Sequence, residues 1–221
     1  MNTSEIRFKD LNIIHITKPN LKNSYISVNE DSKVVLKTSR VSQRYIEGLL
    51  NEKEIWIRKQ LFKREQNPPI KVNLEDEVLL FGDIYSVDAD EASELRILLN
   101  RLRKPTQKNI LRCYDGYYKT YALSYLTSRV KHYSDIMNLD YEDIKLKKMR
   151  GRWGSCSSTR VITLNTQLMK LKKEQIDYVV VHELAHLVHM NHSKSFHSLV
   201  ERYFPDSQKI RKELKNTQMP I

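Results

Sequence analysis

The sequence predicts an α+β protein, and three observations carry that reading. Short β-branched and aromatic runs bounded by turn residues recur along the first half. Longer stretches space apolar residues three and four apart, the period of a half-buried helix. One such stretch, Tyr178–Val188, is mostly apolar yet holds His182, Glu183 and His186 in the order H-E-x-x-H.

Tyr25–Val28 and Val34–Thr38 are β-rich and flank the turn-forming Asn29–Ser32, which predicts a hairpin. Ser42 reads as an N-cap for a helix to about Arg64, with Tyr45, Ile46, Leu49, Leu50, Ile55, Trp56 and Leu61 at mostly helical spacing. Pro68-Pro69 ends it. Val78–Phe81 and Ile84–Val87 predict a second hairpin across Gly82-Asp83. Residues 88–108 give no clear pattern. A helix is expected from about Thr106 to Asn138, with Asp115-Gly116 a point of interruption. Its tyrosines read as packing. Strands are expected at Ile144–Met149 and Val161–Leu164, joined by the Gly- and Ser-rich Arg150–Thr159 as a loop or hairpin tip. A helix over Lys173–Met190 then carries the histidines. Ser193 caps a further helix that Pro205 stops. These elements divide the chain into an N-terminal β-rich region with one long helix, 1–104, and a core that carries the histidines, 105–221.

Residues four apart on a helix share a face, so His182 and His186 can grip one zinc ion. Glu183 lies roughly 100° round from His182, beside the ligands but not among them. There it suits the general base that deprotonates a water. A carboxylate in so apolar a stretch is costly to bury without a charged partner, which a metal supplies. A catalytic zinc site needs a third ligand. His189 shares the face but sits roughly 10 Å along the axis from His182 if the helix continues. A ligand must therefore return from beyond a bend. Asn191 tolerates the left-handed conformation that ends a helix, which favours His192, with His197 and Glu201 as competitors.

The net charge of +11 favours polyanionic or acidic partners, including nucleic acid or nucleotides at a basic surface. Residues 65–110 are net acidic, whereas Lys145–Arg152 is densely basic and leads towards the histidines. Arg150 and Arg152 suit a carboxylate or phosphate. Trp153 suits packing over the histidine helix, Gly151 and Gly154 a tight backbone path, and Cys156 a small packing position. No stretch reaches membrane-span length and no signal-peptide pattern opens the chain. Two cysteines, Cys113 and Cys156, offer no disulfide framework, so a cytoplasmic location is expected.

Arg152-Trp-Gly-Ser-Cys156, Ile162-Thr-Leu-Asn165, Asp177–His186, Asn191-His-Ser193 and Phe196 together resemble the YgjP-like family. Its members are predicted zinc metallopeptidases or metal-dependent hydrolases related to the SprT-like zincins. The resemblance implies a zincin-like core with a small antiparallel sheet and an N-terminal hairpin and helix. It also implies His182, His186 and His192 as zinc ligands and Glu183 as acid/base. His197 departs from the aromatic residue expected after Phe196. Arg152, Trp153, Asn165 and His197 are candidates for contact with a protein or peptide substrate. Two other readings compete. One is a metal-dependent nucleoside triphosphate pyrophosphohydrolase, motivated by Arg150 and Arg152. The other is a non-enzymatic zinc-stabilised nucleic-acid-binding module.

Overall fold

The computed structural model describes residues 2–29, 31–66, 72–74 and 76–217. The chain is mixed α+β and forms two compact units, Met1–Ile70 and Lys71–Ile221.

The first unit holds β1 (Asn2–Phe8), β2 (Leu11–Thr17), β3 (Tyr25–Val28) and β4 (Val34–Thr38) in one sheet, ordered β1-β2-β4-β3. The expected hairpin is β3–β4. Its turn is fixed by Asn29, whose Oδ1 accepts from the Lys33 N–H at 2.7 Å, and by Ser32 at φ 59°. The strands β1 and β2 add an unanticipated hairpin, and β2 runs parallel to β4. Helix α1 (Gln43–Gln66) starts where Ser42 Oγ accepts from the Tyr45 N–H. Its Ile46, Leu50 and Ile57 share one face and complete a core with Phe8, Ile13 and Leu36. The Pro68-Pro69 break lies outside the described residues.

The second unit opens with β5 (Glu77–Leu80) and β6 (Asp83–Ser86). Their two-residue turn is Phe81-Gly82, one position earlier than expected, with both residues left-handed at φ 52° and 91°. That is the turn whose twist matches a hairpin. Helix α2 (Ser93–Asn100) occupies the stretch that gave no pattern. Val78, Leu80, Ala92 and Leu95 bury into the same core as the C-terminal helices. Their burial groups β5 and α2 with the C-terminal helices, whereas the sequence pattern places residues up to 104 in the N-terminal region.

Helix α3 (Gln107–Met137) runs unbroken through Gly116, from a Thr106 cap to a left-handed Asn138 at φ 51°. Tyr114, Tyr117 and Tyr118 are buried on it, and their hydroxyls donate to backbone carbonyls of Glu77, Glu91 and Leu79. They are packing residues, as expected.

Next come β7 (Asp143–Lys147), β8 (Gly154–Cys156) and β9 (Val161–Asn165), ordered β7-β9-β8. The sheet is mixed rather than antiparallel, because β7 and β9 run parallel while β8 and β9 form the hairpin. The Gly/Ser-rich segment thus contains a strand of its own, and β9 is central instead of an edge. Helix α4 (Lys173–Ala185) packs on α3 and β8. A bidentate ion pair, Arg129 Nε and Nη2 to Asp177 Oδ1 and Oδ2 at 2.6 and 2.8 Å, joins α3 to α4. Helices α5 (Lys194–Tyr203) and α6 (Ser207–Asn216) follow. The second was not anticipated. No helix among the described residues is long and apolar enough to cross a membrane.

Candidate metal centre

Helix α4 ends at Ala185, earlier than the expected Met190. His186 is its C-cap, and no left-handed residue ends it at Asn191. The backbone instead tightens, with the Leu187 and Val188 N–H groups donating to the Leu184 and Ala185 carbonyls three residues back. This early stop brings His192 back across the helix end. Ser193, as expected, caps α5 by accepting from the Phe196 N–H at 3.3 Å.

His182, His186 and His192 each offer a ring nitrogen, all within 4.8 Å of one another. The Nε2 atoms of His182 and His192 are 3.1 Å apart. Two nitrogens on one tetrahedral zinc stand about 3.3 Å apart for bonds of about 2.05 Å. His186 Nδ1 is 3.0 Å from the His189 carbonyl. Donation there leaves the His186 Nε2 lone pair free for a metal. His189 therefore contributes its backbone to the site. His197 stacks on His192 at 6.2 Å between ring centroids and lies outside the cluster. Glu201 accepts from Gln208 Nε2.

Phe196 is the floor of the cluster. It is fully buried, and its ring centroid lies 4.8, 4.6 and 4.9 Å from those of His182, His186 and His192. The sequence offered Phe196 only as part of a motif, because its helical spacing shows burial but not what it underlies.

Glu183 is 5 % exposed and lies against β8. A Cβ on Gly154 would stand 2.5 Å from Glu183 Oε1 and 2.7 Å from its Cγ. Gly154 is thus the seat of the carboxylate, not merely a flexible joint, whereas a Cβ on Gly151 would meet nothing within 4 Å. Glu183 Oε2 and His182 Nδ1 are buried without a protein partner. Leaving the carboxylate oxygen unpaired is costly, so it suits a group the protein does not itself supply. Three convergent imidazoles and an orphaned carboxylate oxygen fit a divalent cation and its water.

Burial pushes the Glu183 carboxyl up to about 8, opposed by the charge of Arg152. Burial, then the neighbouring His186 and His192, push His182 down to about 3. His192 is also lowered, by burial first and then by His186, Arg211 and His197. Two imidazoles are thereby kept in the neutral form that binds metal. A pH signature follows for the metal-free protein. With its carboxyl raised above 4.5, folded Glu183 binds protons that the unfolded chain releases, so stability falls as pH rises from about 4.5 through 8. The lowered His182 has the opposite effect, losing stability as pH drops below 6.5 towards 3. Melting curves of metal-free protein are expected to lose roughly 2 kcal/mol between pH 6.5 and 8. Glu183→Gln should flatten that alkaline slope, and an unchanged slope would place its cause elsewhere.

The other candidates divide. Arg152 is exposed and its charge acts on Glu183. Trp153 packs on the core, and its carbonyl accepts from the Asn165 N–H. Asn165 does not face a substrate. It is fully buried, its Nδ2 donates to the Met149 and Arg152 carbonyls, and its Oδ1 accepts from the Met149 and Gln167 N–H groups. It holds the loop ahead of β8. Arg211, on the unanticipated α6, lies near enough to act on His182, His192 and Tyr178. No local pattern near the histidines pointed to it.

A helix-borne carboxylate beside three convergent imidazoles suits a metal-dependent hydrolase. A model of the YgjP-like family, metallopeptidase domain, matches residues 22–217, and the chain belongs to that family. Among solved structures it is similar to the metallopeptidase zymogen abylysin of Pyrococcus abyssi, at 25% identity and TM-score 0.38 over 42% of this chain and 98% of that one. It is also similar to the zymogen jannalysin of Methanocaldococcus jannaschii, at 23% identity and TM-score 0.37 over 40% and 91%. No curated protein matches it.

Proposed function

We propose that the chain is a zinc metallopeptidase in which His182, His186 and His192 hold the ion and Glu183 is the general base. The observation that carries this reading is the convergence of three imidazole nitrogens within 4.8 Å beside a buried carboxylate with one unpartnered oxygen. Held by these imidazoles, zinc would supply a Lewis acid able to lower the pKa of water towards about 7 and to polarise a carbonyl. Glu183 Oε2 takes the proton of the attacking water and delivers it to the departing amine. Gly154 and Phe196 hold the carboxylate and the imidazoles in place.

The substrate lies along β8, the sheet edge packed against α4. Trp153 and Ser157 bond to β9, so the alternating Gly154 and Cys156 turn their backbone groups to the open side. An extended peptide can add there as a strand. Arg211, whose charge reaches His182 and His192, is the candidate cation for the developing oxyanion. Replacing it, as Arg211→Met, is expected to lower kcat about 10²–10³-fold with metal content unchanged. An unaltered kcat removes Arg211 from the mechanism.

The test of the whole reading is a panel of unstructured polypeptides, nucleoside triphosphates and oligonucleotides, offered to chelator-stripped and zinc-reloaded protein. Polypeptide cleavage should vanish on stripping and return with zinc. Turnover of nucleotides alone would favour the pyrophosphohydrolase. Salt-dependent oligonucleotide binding without turnover would favour the non-enzymatic module.

A further inference from the structure

A groove of about 520 Å³ lies between the end of α3, the turn that follows His186, and α5. That volume is in the range of ligand-binding clefts. The flanks of α5 separate it from the metal centre. Successive helical residues turn by about 100°. Phe196 points into the core and His197, on one flank, stacks against His192. Ser195, Ser198 and Arg202 lie on the other flank and, with Lys194 in the first turn, line the groove.

The lining is cationic and apolar together. No carboxylate contributes to it, and Met137, Leu139 and the half-exposed Val188 form its apolar wall. Neither Lys194 nor Arg202 has an acidic partner among the described residues, and the nearby Glu201 is engaged by Gln208. Two free cations, the hydroxyls of Ser195, Ser198 and Tyr203 and an apolar wall complement a segment that alternates carboxylates with apolar side chains. We propose that this groove is an exosite that docks an acidic segment of a polypeptide, away from the bond to be cleaved. The proposal rests on the metallopeptidase reading only in taking the acidic ligand to be a polypeptide. The groove also borders the site's scaffold, since His189 lines it and its carbonyl holds His186.

The test uses zinc-loaded full-length Glu183→Gln protein, so that probes are not consumed. The probes are fluorescent peptides of mixed Glu, Asp and Leu, a matched peptide with Gln and Asn in place of the acids, and a single-stranded oligonucleotide. The acidic peptide should bind at least about tenfold tighter than the neutral one. The Lys194→Glu/Arg202→Glu variant should abolish that preference with metal content and melting temperature unchanged. Both side chains are exposed, so the fold should tolerate their reversal. Equal binding of acidic and neutral peptides, a preference that survives the charge reversal, or a charge-reversal loss seen for the oligonucleotide alone would each overturn the exosite. Cleavage of the neutral peptide by the wild type tests the hydrolytic reading separately. If that cleavage is absent while acidic binding still depends on Lys194 and Arg202, the groove stands and the peptidase reading falls.

Discussion

Glu183→Gln is expected to retain one metal ion per chain while hydrolysis falls about 10²–10⁴-fold, the range that a positioned acid/base contributes. The amide matches the carboxylate in shape, so its seat against Gly154 is preserved. What it loses is the ability to accept a proton at Oε2, the oxygen left without a protein partner. The variant also avoids burying a charge, so its folding stability should equal or exceed the wild type's at alkaline pH. Metal analysis and peptide-hydrolysis kinetics decide the matter. Full activity would remove Glu183 from the chemistry. Loss of the metal would make the carboxylate a ligand instead of a base.

Gly154→Ala should be nearly as damaging to turnover while touching none of the ligands. The added methyl would meet Glu183 Oε1, Cγ and Cδ at 2.5, 2.7 and 2.8 Å, so either the carboxylate or β8 must move. A misplacement of about 1 Å at a reacting group costs about 10²-fold in rate. Overpacking should cost about 1–3 kcal/mol of stability. The atoms nearest the added methyl all belong to Glu183, which is not one of the three imidazoles, so zinc affinity should stay within a few-fold. Gly151→Ala is the control, since its Cβ meets open space, and it should be close to neutral in both assays. Wild-type activity in Gly154→Ala would show that the carboxylate's position is not what this strand sets.

Local signals were legible in the sequence. The Thr106 cap and Asn138 terminator bracket α3 as expected, Ser193 starts α5, the β3–β4 hairpin falls where its turn residues place it, and the β5–β6 hairpin forms with its turn one residue early. The spacing of His182 and His186 put both on one helical face. His192 was favoured for the wrong local reason. The chain bends at His186 through its own backbone bonds, not through a left-handed Asn191. Long-range arrangements stayed hidden. The parallel pairing of β7 with β9 depends on β8 occupying the far edge, and three residues of a Gly/Ser-rich loop carry no strand signal. Gly154 looks like any turn glycine until the side chain that lands on it is known. Asn165 sits in a polar-looking motif, yet its amide is spent on the loop ahead of β8. The reach of the second unit back to β5 follows from where Val78 and Leu80 are buried.

The two halves of the apparatus differ in how far apart along the chain their parts lie. The three imidazoles and the ring beneath them come from one continuous stretch, His182 to Phe196. The resting place of the carboxylate comes from a strand laid down before that stretch, and it reaches Glu183 only once the sheet has docked on α4. On the proposed reading, holding the cation and seating the carboxylate therefore depend on different parts of the chain, and a change in one can leave the other intact.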